Sequence, residues 1–370
     1  MHIAMVCEFA TCNGGEQSLL AVLRHLRGRH EFTVLAPEDG PFPEAVRREG
    51  IPLVPWSVHD AGGKRLARNQ LIDRLVATVH NVDPDLVHAN SLAMGRLLGA
   101  AADRLDAPGT AHIRDIIAIS KAAIADLNRN QALVCVSEAT RQFHVDRGLD
   151  PTRAVTIYNG IDTDQFHPRK PTGSLRREVG ISRNALLTAT IGQIGLRKGL
   201  HVLPLAARIV DRKGIDVRYL LVGERHSQKQ ESIEYEEELF EQFEYGSVLA
   251  QMHPLGWRDD IPELLGEIDV LIHPAFQEPL GRVLLEAAAT GTAIITTEVG
   301  GTPEIFTHGE SALLVRPGDH TELADAIEEL ARNRRYCQEL GQAARQEILD
   351  RFRIEPRADE LARFWEDNLP

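Results

Sequence analysis

The chain has 370 residues, 43% of them hydrophobic and 26% charged, which is enough apolar material for two domains of about 150–200 residues. Its formal net charge of −13 disfavours a nucleic-acid partner, because such proteins normally present a basic surface. The four cysteines form no Cys-x-x-Cys pair and have no histidines at zinc-ligand spacing, which favours a reducing, cytoplasmic location over a metal site. No signal-peptide core follows Met1, and no apolar run is long enough to span a bilayer.

Short apolar runs alternate with longer amphipathic stretches along most of the chain, which is typical of parallel sheets covered by helices on both faces. Strands are predicted in the first half at 3–7, 32–36, 53–55, 86–89, 110–113, 133–136 and 155–158. In the second half they are predicted at 186–192, 218–223, 248–252, 270–273, 293–297 and 313–315. We therefore predict an α/β protein with two doubly wound, Rossmann-like domains that face each other across a cleft.

The stretch 159–174 lacks periodicity and carries Pro168, Pro171 and two glycines, which are linker signals. It predicts an N-terminal domain over 1–165 and a C-terminal domain over 166–351. A helix at about 352–370 could pack back on the first domain. The acidic stretch 231–244 predicts a solvated helix whose apolar side chains Leu239, Phe240 and Phe243 turn inward.

The most informative segment is FQEPLGRVLLEAAATGT, residues 276–292, which follows a predicted strand. Pro279 and Gly281 mark a tight turn into a helix over 282–289, and such a turn aims backbone N–H groups at an anion. Glu278 lies just before this helix, and Glu286 inside it can accept two hydrogen bonds from a vicinal diol such as a ribose. Taken alone, the two glutamates are better explained as a capping carboxylate and an ordinary surface residue.

The longer string around them resembles glycosyltransferase family 4. Glu278 and Glu286 match the family's Glu–seven residues–Glu motif, and an Ala- and Gly-rich helix end follows at 287–291. The similarity continues through VGGTPE at 299–304 and GESALLV at 309–315. It covers 269–318 closely and the rest of the chain loosely. It implies the two-domain GT-B architecture, in which the N-terminal domain binds the acceptor and the C-terminal domain binds the nucleotide sugar.

The resemblance also implies roles for this segment. Glu286 would hold the ribose of a nucleotide, and Glu278 would contact the donor sugar as a catalytic residue. The donor diphosphate would be bound by backbone amides of Leu280, Gly281, Arg282 and Val283.

A second candidate cluster is IGQIGLRKG at 191–199, where Arg197 and Lys198 place two positive charges in a strand-to-helix loop suited to phosphate. The family pattern is Gly-Arg-Leu, a short spacer, then Lys-Gly. Lys198 matches this pattern, whereas the expected arginine is Gln193, so Arg197 is the candidate replacement for that diphosphate contact. The glycine spacing does not fit a dinucleotide fingerprint, so NAD is not predicted.

In the first domain, Gly14-Gly15 followed by a helix from about Gln17 resembles the family's Gly-Gly loop, which places Gly15 near the donor diphosphate. The family often has a glutamate where this chain has Gln17, with Glu16 one position earlier. A lone histidine at a strand end is more often structural than catalytic. The resemblance nevertheless implies a histidine near the donor sugar, so His112 is the second catalytic candidate.

Two Asp-x-Asp segments, 83–85 and 162–164, are interpreted as turns, although that motif binds a divalent metal in the other major glycosyltransferase fold. Neither lies at the end of a central predicted strand beside a phosphate loop. We therefore predict no metal and no cofactor.

The resemblance implies transfer from a nucleotide diphosphate sugar, with a UDP-sugar favoured and a GDP-sugar as the alternative, with retention of configuration. The sequence does not identify the acceptor, which the resemblance leaves open among small molecules, saccharides and lipid-linked acceptors. Three alternatives remain open: a sugar-nucleotide epimerase, a phosphorylase on the same fold, and a non-catalytic nucleotide-sugar-binding protein. The basic amphipathic stretch 62–80 could lie on an anionic membrane, but an ordinary surface helix is preferred at this net charge.

Overall fold

Seven strands alternate with helices over the first 160 residues of the computed structural model, which describes residues 1–245 and 248–369. The strands are His2–Val6 (β1), Glu31–Ala36 (β2), Leu53–Pro55 (β3), Leu86–Ala89 (β4), Gly109–Ile113 (β5), Ala132–Cys135 (β6) and Ala154–Thr156 (β7). The helices are Gly14–His25 (α1), Pro41–Arg48 (α2), Arg68–Val82 (α3), Leu92–Ala101 (α4), Lys121–Leu127 (α5) and Glu138–Val145 (α6), with a 3₁₀ turn at Ala102–Arg104.

All neighbouring strands of this first sheet run parallel, in the order β3-β2-β1-β4-β5-β6-β7. In the central register Met5 lies opposite Val34 on one side and His88 on the other. The direction in which strands are added reverses between β1 and β4. Ligands of such sheets bind at this reversal, beyond the carboxyl ends of the strands.

The second sheet has six parallel strands, and its order β10-β9-β8-β11-β12-β13 reverses between β8 and β11. The strands are Leu186–Ile191 (β8), Val217–Val222 (β9), Met252–Gly256 (β10), Val270–His273 (β11), Ala293–Thr297 (β12) and Leu313–Val315 (β13). The helices are Ser174–Glu178 (α7), Val202–Arg212 (α8), Gln230–Tyr245 (α9), Ile261–Glu267 (α10), Arg282–Thr290 (α11), Thr302–Ile305 (α12), His320–Arg332 (α13) and Arg334–Arg351 (α14), with 3₁₀ turns at Leu196–Lys198 and Leu249–Gln251.

The last helix, Ile354–Glu366 (α15), returns to the first unit. That unit comprises Met1–Gly160 and the chain from Ile354 onward, and the second unit is Ile161–Arg353. Trp365 is fully buried in the first unit, with its ring centroid 6.1 Å from that of Phe32, and its Nε1–H donates to His88 Nδ1 at 3.1 Å. The helix is therefore part of the core of the first unit.

The predicted α/β class with two doubly wound parallel sheets is confirmed. The sequence divides the chain at residue 165, whereas the structure divides it after Gly160. The acidic helix forms as predicted, with Leu239 and Phe243 buried and Phe240 half-buried against the core. No helix among the described residues is long and apolar enough to cross a membrane.

The strand predicted at 248–252 is wrong. Leu249–Gln251 forms a 3₁₀ turn instead, and the strand begins at Met252 and runs to Gly256. This strand includes Pro254, and it lies at the edge of its sheet, where a residue without a backbone N–H is tolerated.

The segment 162–164 enters a turn, and the segment 83–85 connects the end of α3 to β4. Asp83 ends α3 in the left-handed conformation with φ 49°. Asp162 Oδ1 accepts hydrogen bonds from the backbone N–H groups of Asp164 and Gln165 at 2.9 and 3.0 Å. The Asp162 carboxylate therefore satisfies local backbone donors.

Candidate active site

The loops that follow β8 and β11 meet where the order of the second sheet reverses. The Phe276 N–H donates to the Arg197 carbonyl oxygen at 2.9 Å, which joins the 3₁₀ turn Leu196–Lys198 to the segment before α11. Gln193, Lys198 and His273 line a small open pocket at this point. The sequence-predicted basic loop and the Glu278 segment are thus brought together by the topology of the sheet.

Gly199 makes this approach possible. Its φ is +63°, and a Cβ at this position would lie 2.1 Å from the Pro274 carbonyl oxygen. A side chain would therefore meet both backbone strain and a backbone atom that cannot move aside cheaply.

We expect Gly199→Ala to lower the free energy of unfolding of the second unit by about 3–5 kcal/mol, the left-handed strain adding to the steric clash. Gly214→Ala is a matched control, because Gly214 has φ +70° but nothing within 4 Å of an added Cβ. It should cost only about 1–2 kcal/mol. Urea unfolding followed by circular dichroism measures both, and equal losses would contradict the close approach as the cause.

Three side chains converge on the Glu278 carboxylate beside this pocket. Glu278 Oε2 lies 2.7 Å from Lys198 Nζ, 2.7 Å from His273 Nε2 and 3.9 Å from Arg197 Nη1, and Glu278 is only 6% exposed. Burial by itself raises the pKa of Glu278, but the Lys198 ammonium, the His273 hydrogen bond and the Arg197 charge together hold that pKa well below its usual range. Glu278 is therefore an ionised, buried carboxylate held by two close donors.

His273 is the member of this cluster that sequence reasoning missed. Burial and the nearby Lys198 charge lower its pKa, against the opposing effect of Glu278, so the ring is neutral and donates from Nε2. The available signal was its position as the last residue of β11, at the carboxyl end of a central strand and five residues before Glu278.

Arg197 and Gln193 occupy different surroundings on the same loop. Arg197 Nη1 donates to the Gln277 carbonyl oxygen at 3.1 Å, with half of its side chain exposed. Gln193 is exposed and lines the pocket. The role of Arg197 as the replacement for an arginine at residue 193 stays a prediction.

The helix α11 begins directly after this cluster. Gly281 precedes it with φ +89°, and the first helical residues are Arg282 and Val283, as predicted. Their amides are at the positive end of the helix dipole, which favours an anion. Glu286 lies one turn into the helix, where Arg282 Nε is 2.7 Å from its Oε1.

In the first unit, Gly14 and Gly15 open α1, three residues before the predicted start at Gln17. Glu16 is buried, and its Oε2 accepts a hydrogen bond from the Asn13 N–H at 3.2 Å, so it caps the N-terminus of the helix. The Gly15 carbonyl oxygen accepts from Asn90 Nδ2 at 3.4 Å. This joins the loop after β1 to the end of β4, where the order of the first sheet reverses.

His112 lies near the end of β5 and is 3% exposed. Its Nδ1 accepts a hydrogen bond from Arg114 Nη2 at 3.1 Å, because a guanidinium can only donate, and this leaves the ring proton on Nε2. Burial, Arg114 and His88 lower the pKa of His112 well below its usual value, so the ring is neutral. Its role toward a donor sugar stays a prediction.

Arg114 was not predicted as a site residue. It donates to Asn90 Oδ1 at 2.9 Å and to Asn159 Oδ1 at 2.8 Å, which ties together the ends of β4, β5 and β7. One partner lies 24 residues before it and the other 45 residues after it, so no local pattern could have found them.

Each unit thus places polar groups of a different kind at its point of strand reversal. The second unit presents Lys198, Arg197 and the positive end of α11, which suit the phosphates of a ligand, beside the ionised Glu278. The first unit presents a neutral His112 held by Arg114.

Comparison with known proteins extends these observations along the whole chain. Residues 172–347 match the family described as "Glycosyl transferases group 1", and residues 12–165 match "Glycosyltransferase Family 4". The alpha-maltose-1-phosphate synthase of Mycolicibacterium smegmatis is 30% identical over 231 residues, which cover 60% of this chain and 59% of that protein. The N-acetyl-alpha-D-glucosaminyl L-malate synthase of Bacillus anthracis is 30% identical over 58% of this chain and 54% of that protein. The chain thus aligns with less than two thirds of the length of these curated relatives.

Solved structures share the fold over nearly the full length. HepE from Anabaena in complex with UDP-glucose superposes with a TM-score of 0.87 at 23% identity, covering 99% of this chain and 100% of that chain. Sucrose-phosphate synthase from Thermosynechococcus elongatus superposes with a TM-score of 0.82 at 17% identity, covering 99% and 98%. The GT-B fold predicted from the resemblance is confirmed by these superpositions. The two family models, which together match residues 12–165 and 172–347, show that the chain belongs to glycosyltransferase family 4.

Proposed function

We propose that this glycosyltransferase moves a sugar from a nucleotide diphosphate sugar to an acceptor with retention of configuration. A UDP-sugar is the favoured donor, a GDP-sugar is the alternative, and the acceptor is a small molecule, a saccharide or a lipid-linked molecule. The observation that carries the proposal is the buried Lys198–Glu278–His273 cluster beside the N-terminus of α11. The UDP-glucose complex of HepE supports the choice of nucleotide.

The central chemical problem of such a transfer is the negative charge that develops on the leaving diphosphate. Preorganised cations and helix N-termini stabilise that charge. We assign this task to Lys198, Arg197, the amides of 280–283 and the Gly15 backbone. Glu286 is assigned to the ribose of the nucleotide.

The sugar itself becomes cation-like during transfer. We assign Glu278 and His112 to it, Glu278 as an ionised carboxylate and His112 as a neutral donor from Nε2. A front-face displacement, in which the departing phosphate assists deprotonation of the acceptor, needs no second carboxylate, and it is the route we propose.

This function is tested by measuring nucleotide binding first and turnover second. Isothermal titration with UDP, GDP and ADP should show binding of UDP or GDP, and mass spectrometry with the matching sugar donors should show acceptor-dependent transfer. Donor conversion without any acceptor would indicate an epimerase, and a requirement for inorganic phosphate would indicate a phosphorylase. Nucleotide-sugar binding without turnover against a broad acceptor panel would indicate a binding protein.

We further propose that the transfer needs no metal and no cofactor. Among the described residues no three His, Cys, Asp or Glu side chains are grouped to hold a metal ion. The positive charge for the diphosphate is provided by Lys198 and Arg197 instead. Initial rates should therefore be nearly unchanged in excess EDTA. A complete loss of rate that magnesium or manganese restores would contradict this expectation.

A further inference from the structure

Glu286 shares its environment with a second charged side chain of the same helix. Arg282 Nε lies 2.7 Å from Glu286 Oε1, and the two side chains are only 12% and 13% exposed. Residues four apart lie on the same face of a helix, and an exposed pair of this kind contributes only a few tenths of a kcal/mol. Breaking a buried pair costs more than breaking an exposed one. A buried carboxylate without a nearby cation loses the favourable free energy of hydration, and no other interaction replaces it.

The charged groups on the elements packed against α11 are engaged elsewhere. On α10, Glu267 accepts hydrogen bonds from Thr172 and Glu263 lies 3.8 Å from Arg169. On α14, Arg345 donates to the Ala289 carbonyl oxygen. The other charged side chains of α14 pair with groups outside α11: Arg334 with Asp269, Arg335 with Glu339, Arg351 with Glu347, and Asp350 with Gln346. His273 of β11 donates to Glu278, and β12 carries no titratable side chain.

Arg282 is therefore the cation that acts on Glu286, and it opposes the rise in the Glu286 pKa that burial causes.

We propose that Arg282 is a positioning residue, whose guanidinium orients the Glu286 carboxylate and keeps it available to the ribose hydroxyls of the nucleotide. This inference rests on the proposed function and gives the Arg282 side chain a task distinct from that of its backbone amide. A carboxylate has about four lone-pair sites, so a contact from Arg282 at one oxygen leaves capacity for two hydroxyl donors.

The test is the dissociation constant for UDP of wild type, Arg282→Leu and Arg282→Lys from about pH 8 to about pH 6. At each pH the dissociation constant of the variant is divided by that of the wild type. This ratio cancels the effect that protonation of the UDP diphosphate has on binding to both proteins. For Arg282→Leu we expect this ratio to be about 10 near pH 8. Between pH 8 and pH 6 the ratio should increase by a further factor of at least about five. The reason is that burial raises the pKa of Glu286 with no guanidinium to oppose it, so the carboxylate takes up a proton as the pH falls.

Arg282→Lys keeps a positive charge and should show a smaller ratio with little pH dependence. Adding Glu286→Gln to Arg282→Leu should abolish the pH dependence of the ratio, because the titrating group is gone. Arg335→Leu is the matched control: Arg335 Nε lies 2.8 Å from Glu339 Oε1 at the same spacing, but Arg335 is 88% exposed. Its UDP affinity should equal that of the wild type.

A ratio within twofold of one at every pH for Arg282→Leu would overturn the inference. So would an equal, pH-independent loss in Arg282→Leu and Arg282→Lys, which is what a purely structural role produces. Circular dichroism of each variant establishes folding. If Arg282→Leu does not fold, Arg282→Gln, which is polar but uncharged, takes its place with the same expected ratios and the same contradicting outcomes. A wild-type protein that binds neither UDP nor GDP would instead refute the proposed function.

Discussion

Replacing Lys198 with alanine is expected to lower kcat/KM by about 30- to 1,000-fold, which corresponds to about 2–4 kcal/mol of transition-state stabilisation. Two losses combine in this variant. The diphosphate loses a cation in a site where water is scarce, and Glu278 loses the ammonium that lies 2.7 Å from its Oε2. Since Lys198 is mostly buried, bulk water and salt cannot replace its charge efficiently.

Lys213→Ala is the control for this experiment. Lys213 also contacts two carboxylates, those of Asp325 and Glu328, but it lies on the surface of the second unit, away from the reversal of the sheet. Its removal should leave kcat/KM unchanged. Steady-state rates at varied donor and fixed saturating acceptor measure both variants. A change of less than threefold for Lys198→Ala would show that the backbone amides and Arg197 suffice for the diphosphate.

Glu278→Gln is expected to lower kcat by about 100-fold or more while changing the UDP dissociation constant by less than about threefold. The amide has nearly the shape of the carboxylate, and its oxygen can still accept from Lys198 and His273, so the variant removes charge with little change in packing. Glu278 is assigned to the reacting sugar, and an interaction that strengthens only as the sugar becomes cation-like affects turnover more than binding.

Single-turnover rates and UDP titration of the same preparations separate the two effects. Glu339→Gln, on the exposed face of α14, is the control and should be silent. The Lys198→Ala/Glu278→Gln double variant should lose less than the sum of the single losses, by about 1–3 kcal/mol, because the two side chains are in contact. Strict additivity would mean that their contact does not contribute to the reaction. A selective loss of UDP affinity in Glu278→Gln would reassign the residue to the nucleotide.

The parts of the fold that the sequence predicted well are those with local signals. The strands Leu86–Ala89 and Ala293–Thr297 are apolar runs bounded by polar or glycine residues, and their limits agree with the structure. The strand Met252–Gly256 was displaced in the prediction because Val248 is apolar and fully buried although it lies outside the sheet, and because Pro254 is unusual in a strand. Burial alone therefore does not identify a strand.

The residues of the candidate site also separate into those with a local sequence signal and those whose contacts depend on the tertiary structure. Glu278, Glu286 and Lys198 were visible as motif residues, because their spacing along the chain carries the resemblance. The His273 contact with Glu278 and the Arg282 contact with Glu286 depend on where a turn and a helix direct the side chains, and those directions follow from tertiary structure. The contacts of Arg114 with Asn90 and Asn159 join strands that are distant in sequence, so their prediction requires the order of the sheet.

The return of α15 to the first unit sets an order for biosynthesis. A ribosome releases the chain from its N-terminus, and domains generally fold as they emerge. The second unit, Ile161–Arg353, is continuous and can close its core as soon as its last helix is free. The first unit must wait for Trp365 and the other buried residues of α15, so its strands emerge early but acquire their full apolar cover only after the whole second unit and α15 have been synthesised. An isolated fragment ending at Gly160 should accordingly expose the surface around Phe32 and His88 and aggregate when expressed alone.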